Sequence, residues 1–220
     1  MPSADRGRLW GWLALVAVLA ALNYASRFAG GSSHGKSALY TYSAAVAGLL
    51  QLGIILGVLL WIAHGRPLRE WLALRRPRSW GRALGIAVLV LIGVFALSAI
   101  LQPFLQPGKE QGLVPQHWRP EFAGAFAFNF AVVALVAPVV EELTFRGLGF
   151  TLLSRFGQPA AIILVGLLFG LAHGLVEGLP ILVFFGIGLC YLRAKTDSVY
   201  PGMLVHAGFN ALVLSLAVAT

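Results

Sequence analysis

The stretch Ala137-Pro138-Val139-Val140-Glu141-Glu142-Leu143-Thr144-Phe145-Arg146 sets two adjacent carboxylates and an arginine inside apolar sequence. It closes an almost uninterrupted apolar run from Phe122 to Val140. Of the eight acidic residues in the chain, the other six lie near the N-terminus or in loop-like stretches. An ionisable group within a membrane segment is costly and marks a functional site by default. Whether this run is a membrane helix therefore settles both the architecture and the place of any chemistry.

Composition answers that it is. Hydrophobic residues make up 59% of the 220, charged residues 11%, and mean hydropathy is +0.84. A soluble domain carries about a quarter charged residues, so this chain has too little polar material to cover a globule. Its apolar runs are long and do not alternate with period two, which predicts spanning helices and not a barrel. The expected class is all-α, a polytopic transmembrane bundle of about seven spans. The net charge of +8 fits cytoplasmic loops and contact with anionic membrane lipid. No aromatic-basic interleaving points to nucleic acid. The single Cys190 excludes an internal disulfide framework and a multi-cysteine metal site.

The fourth helix starts at Phe122 and runs through the acidic pair to about Arg155, where Gly157-Gln158-Pro159 forces a turn. Ala160–Gly174, Leu179–Arg193 and Tyr200–Val218 are the fifth, sixth and seventh spans. Upstream, Leu9–Ala25, Ala38–Ala63 and Leu84–Leu101 are the first three. The first reads as a retained helix because its run is long for a signal core and its cleavage pattern is poor. Met1–Arg8 reads as a basic tail, and Ser26–Lys36 and Gln102–Glu121 as loops. Gly53 and Gly57 have a spacing that permits close helix contact. His64–Arg82 holds six arginines against Glu70 alone. That excess places this loop, and with it the N-terminus, in the cytoplasm, and the composition suits a plasma membrane. Residues 1–220 read as one membrane-embedded domain, in which 1–120 carry no motif and 122–215 form the chemical core.

Within that core, spacing groups the polar side chains. Pro138 removes a backbone hydrogen bond one turn before the acids. Neighbours on a helix point about 100° apart, so Glu141 and Glu142 cannot serve one site equally. Glu142 and Arg146 are four apart, acid first, the favoured order for a helical ion pair. This leaves Glu141 as the free carboxylate. Next comes Phe169-Gly170-Leu171-Ala172-His173. Glu141 precedes Gly157 by 16 residues and His173 follows it by 16, so both lie roughly 24 Å along their helices. Gly166, Gly170, Gly174 and Gly178 recur every four residues and allow close approach of a neighbouring helix. His173 is either an interhelical hydrogen-bonding residue or a catalyst.

The third set is His206-Ala207-Gly208-Phe209-Asn210. His206 and Asn210 share one helix face; they are either interhelical polar contacts or donors to a developing oxyanion. His206 lies only about nine residues from the Lys195–Ser198 loop, which by counting makes it shallower than His173. A tilted fifth helix would bring the two level. His34, His64 and His117 all lie in or beside loops.

Glu141-Glu142-x-x-x-Arg146, Phe169-x-x-x-His173 and His206-x-x-x-Asn210, in this order and in consecutive membrane helices, resemble the three motifs of the CPBP family. These are the CAAX-protease and bacteriocin-processing (Abi) intramembrane proteins, relatives of the Rce1-type CAAX prenyl endopeptidase. The resemblance covers about residues 122–215. It implies a glutamate-type intramembrane endopeptidase without metal or cofactor. Glu141 would act as general base on a water that His173 helps to hold. His206 and Asn210 would donate to the oxyanion, with Glu142–Arg146 a structural pair and Phe169 a supporting residue. The implied substrate is a protein or peptide, with a prenylated CAAX protein as the eukaryotic precedent. Two rival readings use the same residues. Glu141, His173 and His206 form a legitimate catalytic zinc set, although no His-Glu-x-x-His motif is present. A non-enzymatic immunity or scaffold protein on the same fold is the other. A transporter would show related halves, and none is found.

Overall fold

The computed structural model describes residues 3–29, 38–105 and 118–219. Among these there is no strand. Seven principal helices follow in order: α1 (Ser3–Ala29), α2 (Tyr42–Ile62), α3 (Trp80–Leu101), α4 (Pro120–Phe156), α5 (Gln158–Ala172), α6 (Leu179–Thr196) and α7 (Tyr200–Ala219). Six are long and apolar enough to cross a membrane. The seventh expected span, α5, has 15 residues. That is about 22 Å at 1.5 Å per residue, short of a full hydrocarbon core.

The helix ends follow local chemistry. Thr41 and Ser79 cap α2 and α3, their hydroxyls accepting from the backbone N–H of Ala44 and Arg82. Pro159, Pro180 and Pro201 stand in the first turns of α5, α6 and α7, where a missing N–H costs nothing. Gly157, at φ +101°, makes the α4–α5 corner. Asp197, at φ +56°, ends α6.

Packing makes a ring. α1 touches α2, α2 touches α4, α4 touches α7, and α7 touches α3. From α3 the ring continues through α6 and α5 back to α1. The glycine stripe on α5 serves the tightest of these contacts. A side chain at Gly166 would meet Ile187, and one at Gly170 would meet Val183, so α5 and α6 approach almost backbone to backbone. Gly53 and Gly57 do not share this role: nothing lies within 4 Å of where their side chains would start. The expected close contact on α2 is absent because these glycines turn outward. The expected basic tail Met1–Arg8 is not free over its described part, residues 3–8, either. Helix α1 begins at Ser3, and Asp5 pairs with Arg66 at 2.6 Å and Arg155 at 3.9 Å. Helix α1 also continues to Ala29. Of the expected loops, 30–37 and 106–117 lie outside the described residues, and His34 and His117 with them.

Candidate active site

Helix α4 is not uniformly α-helical. Val132–Val136 and Leu143–Gly149 are wide, π-type turns on either side of the acidic pair. Such turns occur mostly where a helix carries function. In the first, the Ala137 N–H bonds the Val132 carbonyl, five residues back. In that register the Val133 carbonyl would take its bond from Pro138, which has no N–H. Asn210 supplies the missing donor: its Nδ2 bonds the Val133 carbonyl at 3.0 Å. Two further side chains donate into the second wide turn. Trp12 Nε1 bonds the Thr144 carbonyl at 2.9 Å, and Arg193 Nε bonds the Arg146 carbonyl at 3.2 Å.

The two acids point to different places. Glu142 is fully buried; its Oε1 accepts from the Arg146 guanidinium at 2.9 Å and lies 3.1 Å from His206 Nδ1. Arg146 is buried as well, donates to the Gly186 carbonyl, and stacks over the Phe169 ring at 4.2 Å. Glu141 is partly exposed. Its Oε2 stands 3.7 Å from His173 Nε2 and 3.7 Å from His206 Nε2. Helix geometry sends adjacent acids to different sites, and His206 joins them by offering one ring nitrogen to each.

Both imidazole orientations are fixed from behind. His173 Nδ1 faces the Phe169 carbonyl at 2.7 Å. A carbonyl only accepts, so Nδ1 carries the proton and Nε2 is the atom presented to Glu141. His206 Nδ1 faces the Glu142 carboxylate and is a donor for the same reason. In its imidazolium form that ring pairs with Glu142, and Nε2 then carries a proton too. The 3.7 Å separations exceed a direct hydrogen bond, and Glu141 Oε2 has no hydrogen-bond partner among the described residues.

Phe169 sits at the centre of this cluster, fully buried. Its ring packs edge-on against Phe145, His173 and His206, with centroids 5.3, 4.6 and 5.7 Å away. Phe185 closes on His206 from the other side at 5.3 Å.

Helix α1 supports the site, a role that no motif in its residues announces. The last four carbonyls of α5 need partners outside the helix. His173 takes two of them, with Nδ1 to Phe169 and its N–H to Gly170. Gly174 N–H takes Leu171, and Asn23 Nδ2 takes Ala172 at 2.7 Å. Gly174, at φ +67°, lies so close to Asn23 that any side chain there would meet its backbone. Asn23 therefore fixes the turn that carries His173. A polar residue in an apolar helix was the available signal, and its distance in sequence from the motifs hid it.

The depth of His206 has a structural reason at the α6–α7 corner. The Gly157 corner is exposed, whereas Ser198 and Val199, at the α6–α7 corner, are fully buried. The 73–78 segment covers them: Val199 N–H bonds the Ala73 carbonyl, Ser198 Oγ the Arg75 carbonyl, and Arg78 N–H the Thr196 carbonyl. Counting from a recessed corner, His206 needs fewer residues to reach the same level.

Glu141, His173, His206 and Asn210 line one cavity of about 510 Å³, otherwise mostly apolar, with Asn23, Gln51 and Ser98 as its other polar side chains. Among the described residues no three His, Cys, Asp or Glu side chains are placed to hold a metal ion.

The family model described as type II CAAX prenyl endopeptidase Rce1-like aligns with the part of the chain that builds most of this cavity. Residues 123–212 match the Rce1-like family. The Rce1-like segment begins inside α4, ends inside α7 and contains all three motifs, so the resemblance expected from them is met. Asn23, Gln51 and Ser98 reach the cavity from helices outside it. No curated protein and no solved structure matches the chain.

Proposed function

We propose that the protein is an intramembrane endopeptidase in which Glu141 activates a water for attack on a peptide carbonyl. The carrying observation is the convergence of Glu141 Oε2 with two imidazole Nε2 atoms, each ring locked through its Nδ1. The Rce1-like match supports a peptidase acting on a protein or peptide within a membrane. A prenylated CAAX protein is one candidate substrate.

In this reading Glu141 and neutral His173 accept the two hydrogens of one water and leave an oxygen lone pair aimed into the cavity. Glu141 takes one proton as the oxygen bonds to the carbonyl carbon. His206, in its imidazolium form against Glu142, donates from Nε2 to the oxyanion, and Asn210 donates its second N–H. Donors set where charge develops usually supply the largest share of such catalysis. As the C–N bond breaks, Glu141 passes its proton to the leaving amine. Glu142, Arg146 and Phe169 position the rings and touch no substrate.

The test is hydrolysis of a fluorogenic CAAX peptide, farnesylated and plain, by purified protein and its Glu141→Gln variant. Glu141→Gln should fold normally and lose at least about 10³-fold in turnover, comparable to removing one member of a catalytic set. Hydrolysis unchanged by this substitution would overturn the assignment. Activity abolished by a strong chelator and restored by zinc would replace it with the zinc reading.

A further inference from the structure

Asp5 draws Arg66 and Arg155 together, so the start of α1, the α2–α3 link and the end of α4 lie at one end of the bundle. The backbone bonds between 73–78 and 196–199 add the α6–α7 corner to it. Residues 3–8, 64–82, 155 and 193–197 hold eleven of the 16 Lys and Arg residues and three of the eight acids, so this end carries the formal net charge of +8. Part of that charge is neutralised within the protein. Asp5 holds Arg66 at 2.6 Å, and Asp197 accepts from Arg75 at 2.7 Å and from Arg193 at 3.0 Å. The rest turns outward. Arg76, Arg82 and Lys195 are exposed and form no ion pair among the described residues. Arg78 is 79% exposed, and it lies 3.9 Å from an Asp197 that two other arginines already hold.

Three of these four cations meet at the seam between α3 and α6. A side chain at Gly188 would meet Val90, and one at Gly93 would meet Phe184, so the two helices pack closely and run antiparallel. Extended to the helix ends, this pairing sets Arg82 level with Lys195 and Thr196. Arg78 N–H bonds the Thr196 carbonyl at 3.3 Å and so joins the same level. From there the outer surface of both helices is apolar. Trp80, Leu84 and Val88 follow at four-residue spacing on α3, and Tyr191 and Phe184 continue from Lys195 along α6; all five are exposed. None of them lines the catalytic cavity. Lys195 Nζ lies 5.3 Å from the centre of the Tyr191 ring. Trp80 and Tyr191 thus stand where apolar surface gives way to charge, the usual place of such rings at a membrane boundary. A free anion could use the cations alone. A phospholipid uses the cations and the apolar seam together.

We propose that Arg78, Arg82 and Lys195 form a seat for an anionic glycerophospholipid, with its phosphate against the three cations and an acyl chain along the α3–α6 seam. Arg78 belongs to the segment that covers the α6–α7 corner. An occupied seat therefore fastens that segment to α6 and stabilises the folded protein by mass action. No residue of the seat touches the cavity, so the proposal stands apart from the proposed activity.

The test is thermal unfolding of the full chain in nanodiscs of phosphatidylcholine and of an equal mixture of phosphatidylcholine and phosphatidylglycerol. Native mass spectrometry of protein released from the mixture counts the retained lipid of each kind. The parent should melt at a higher temperature in the mixture and retain phosphatidylglycerol selectively. The triple variant Arg78→Gln, Arg82→Gln, Lys195→Gln should lose that increment, with affinity for phosphatidylglycerol lower by on the order of 100-fold, as expected for three near-surface cations. The charge-keeping set Arg78→Lys, Arg82→Lys, Lys195→Arg should retain the increment, and so should Arg119→Gln, which removes an exposed cation outside this end. The three single Gln variants are measured alongside, so a graded loss decides the matter even if the triple variant fails to fold. Equal melting and equal retention of the two lipids by the parent would overturn the proposal. So would phosphatidylglycerol retention unchanged in the Gln variants, or the same stabilisation by inorganic phosphate added to phosphatidylcholine nanodiscs, which would assign the cations to a free anion.

Discussion

Asn210 Nδ2 donates to the Val133 carbonyl at 3.0 Å, in a turn where Pro138 has no N–H to give. An unsatisfied buried carbonyl costs about 1–3 kcal/mol, so Asn210→Ala should lower stability by that amount. Pro138→Ala restores a backbone donor and should recover part of the loss when combined with it. A double-mutant cycle on thermal unfolding in detergent reads the coupling; strict additivity would show that the two residues do not share this carbonyl.

Glu142 and Glu141 should separate stability from turnover. Glu142→Gln leaves Arg146 buried opposite a neutral amide and weakens the hold on His206 Nδ1. Removing one partner of a buried pair typically costs about 3–5 kcal/mol, so Tm should fall sharply along with activity. Glu141 is partly exposed and its two histidine neighbours stand 3.7 Å away, beyond direct hydrogen-bond range, so Glu141→Gln should melt close to or above the parent temperature, as is common where a functional group is relieved.

Asn23 lies outside the Rce1-like segment yet caps the helix that ends in His173. Asn23→Ala should reduce kcat about tenfold, equivalent to about 1.4 kcal/mol of transition-state stabilisation. KM should change less, because the effect passes through His173. Asn23→Asp sets a carboxylate against the Ala172 carbonyl and should lose more. Equal kinetics in all three proteins would remove α1 from the site.

Asp197 gives a pH signature. Burial pushes its carboxyl up, but hydrogen bonds from Arg75 and Arg193 and their charges outweigh this, and the net shift is downward. A carboxyl with a lowered folded-state pKa adds stability above its unfolded value and loses it as pH falls through the folded one. Acid should therefore loosen the α6–α7 corner below about pH 4, the ordinary carboxylate range. Asp197→Asn should melt earlier at about pH 7 and show a flatter Tm profile from there down to about pH 3.

Glycines of equal sequence spacing should respond with opposite sign. A side chain at Gly166 would sit 2.5 Å from Ile187 Cγ1 and 2.6 Å from its backbone nitrogen, so Gly166→Ala should cost about 1–3 kcal/mol by overpacking. Gly53 faces open space, and Gly53→Ala should gain up to about 1 kcal/mol from helix propensity. Chemical denaturation of the two variants compares them directly.

Hydropathy made the helices legible because each span has to satisfy its own backbone and bury or expose apolar faces to lipid. The ends of α4, α6 and α7 fall within about three residues of where proline, glycine and charge placed them. The Glu142–Arg146 contact was readable because it is local, set by i,i+4 geometry. The equal depth of Glu141 and His173 was readable from a shared hairpin. What stayed hidden depends on contacts between distant segments. Gly53 and Gly166 look alike in sequence, and only packing distinguishes them. The covering of the α6–α7 corner by 73–78 could not be counted from spacing, so plain counting made His206 too shallow. Asn23 and Trp12 act through backbone carbonyls far along the chain, and a carbonyl carries no sequence signature.

The wide turn at Val132–Val136 gives α4 an unusual tolerance to a change of length at one place. A π-type turn absorbs one residue more than an α-helix would, while the helix on either side keeps its faces. Losing Leu135 would let this turn wind regularly and leave Glu141 aimed as before. Losing a residue from the regular stretch Ala123–Ala131 would instead swing everything downstream by about 100°. Single-codon deletions a few positions apart would thus spare or re-aim the acid without altering any motif residue.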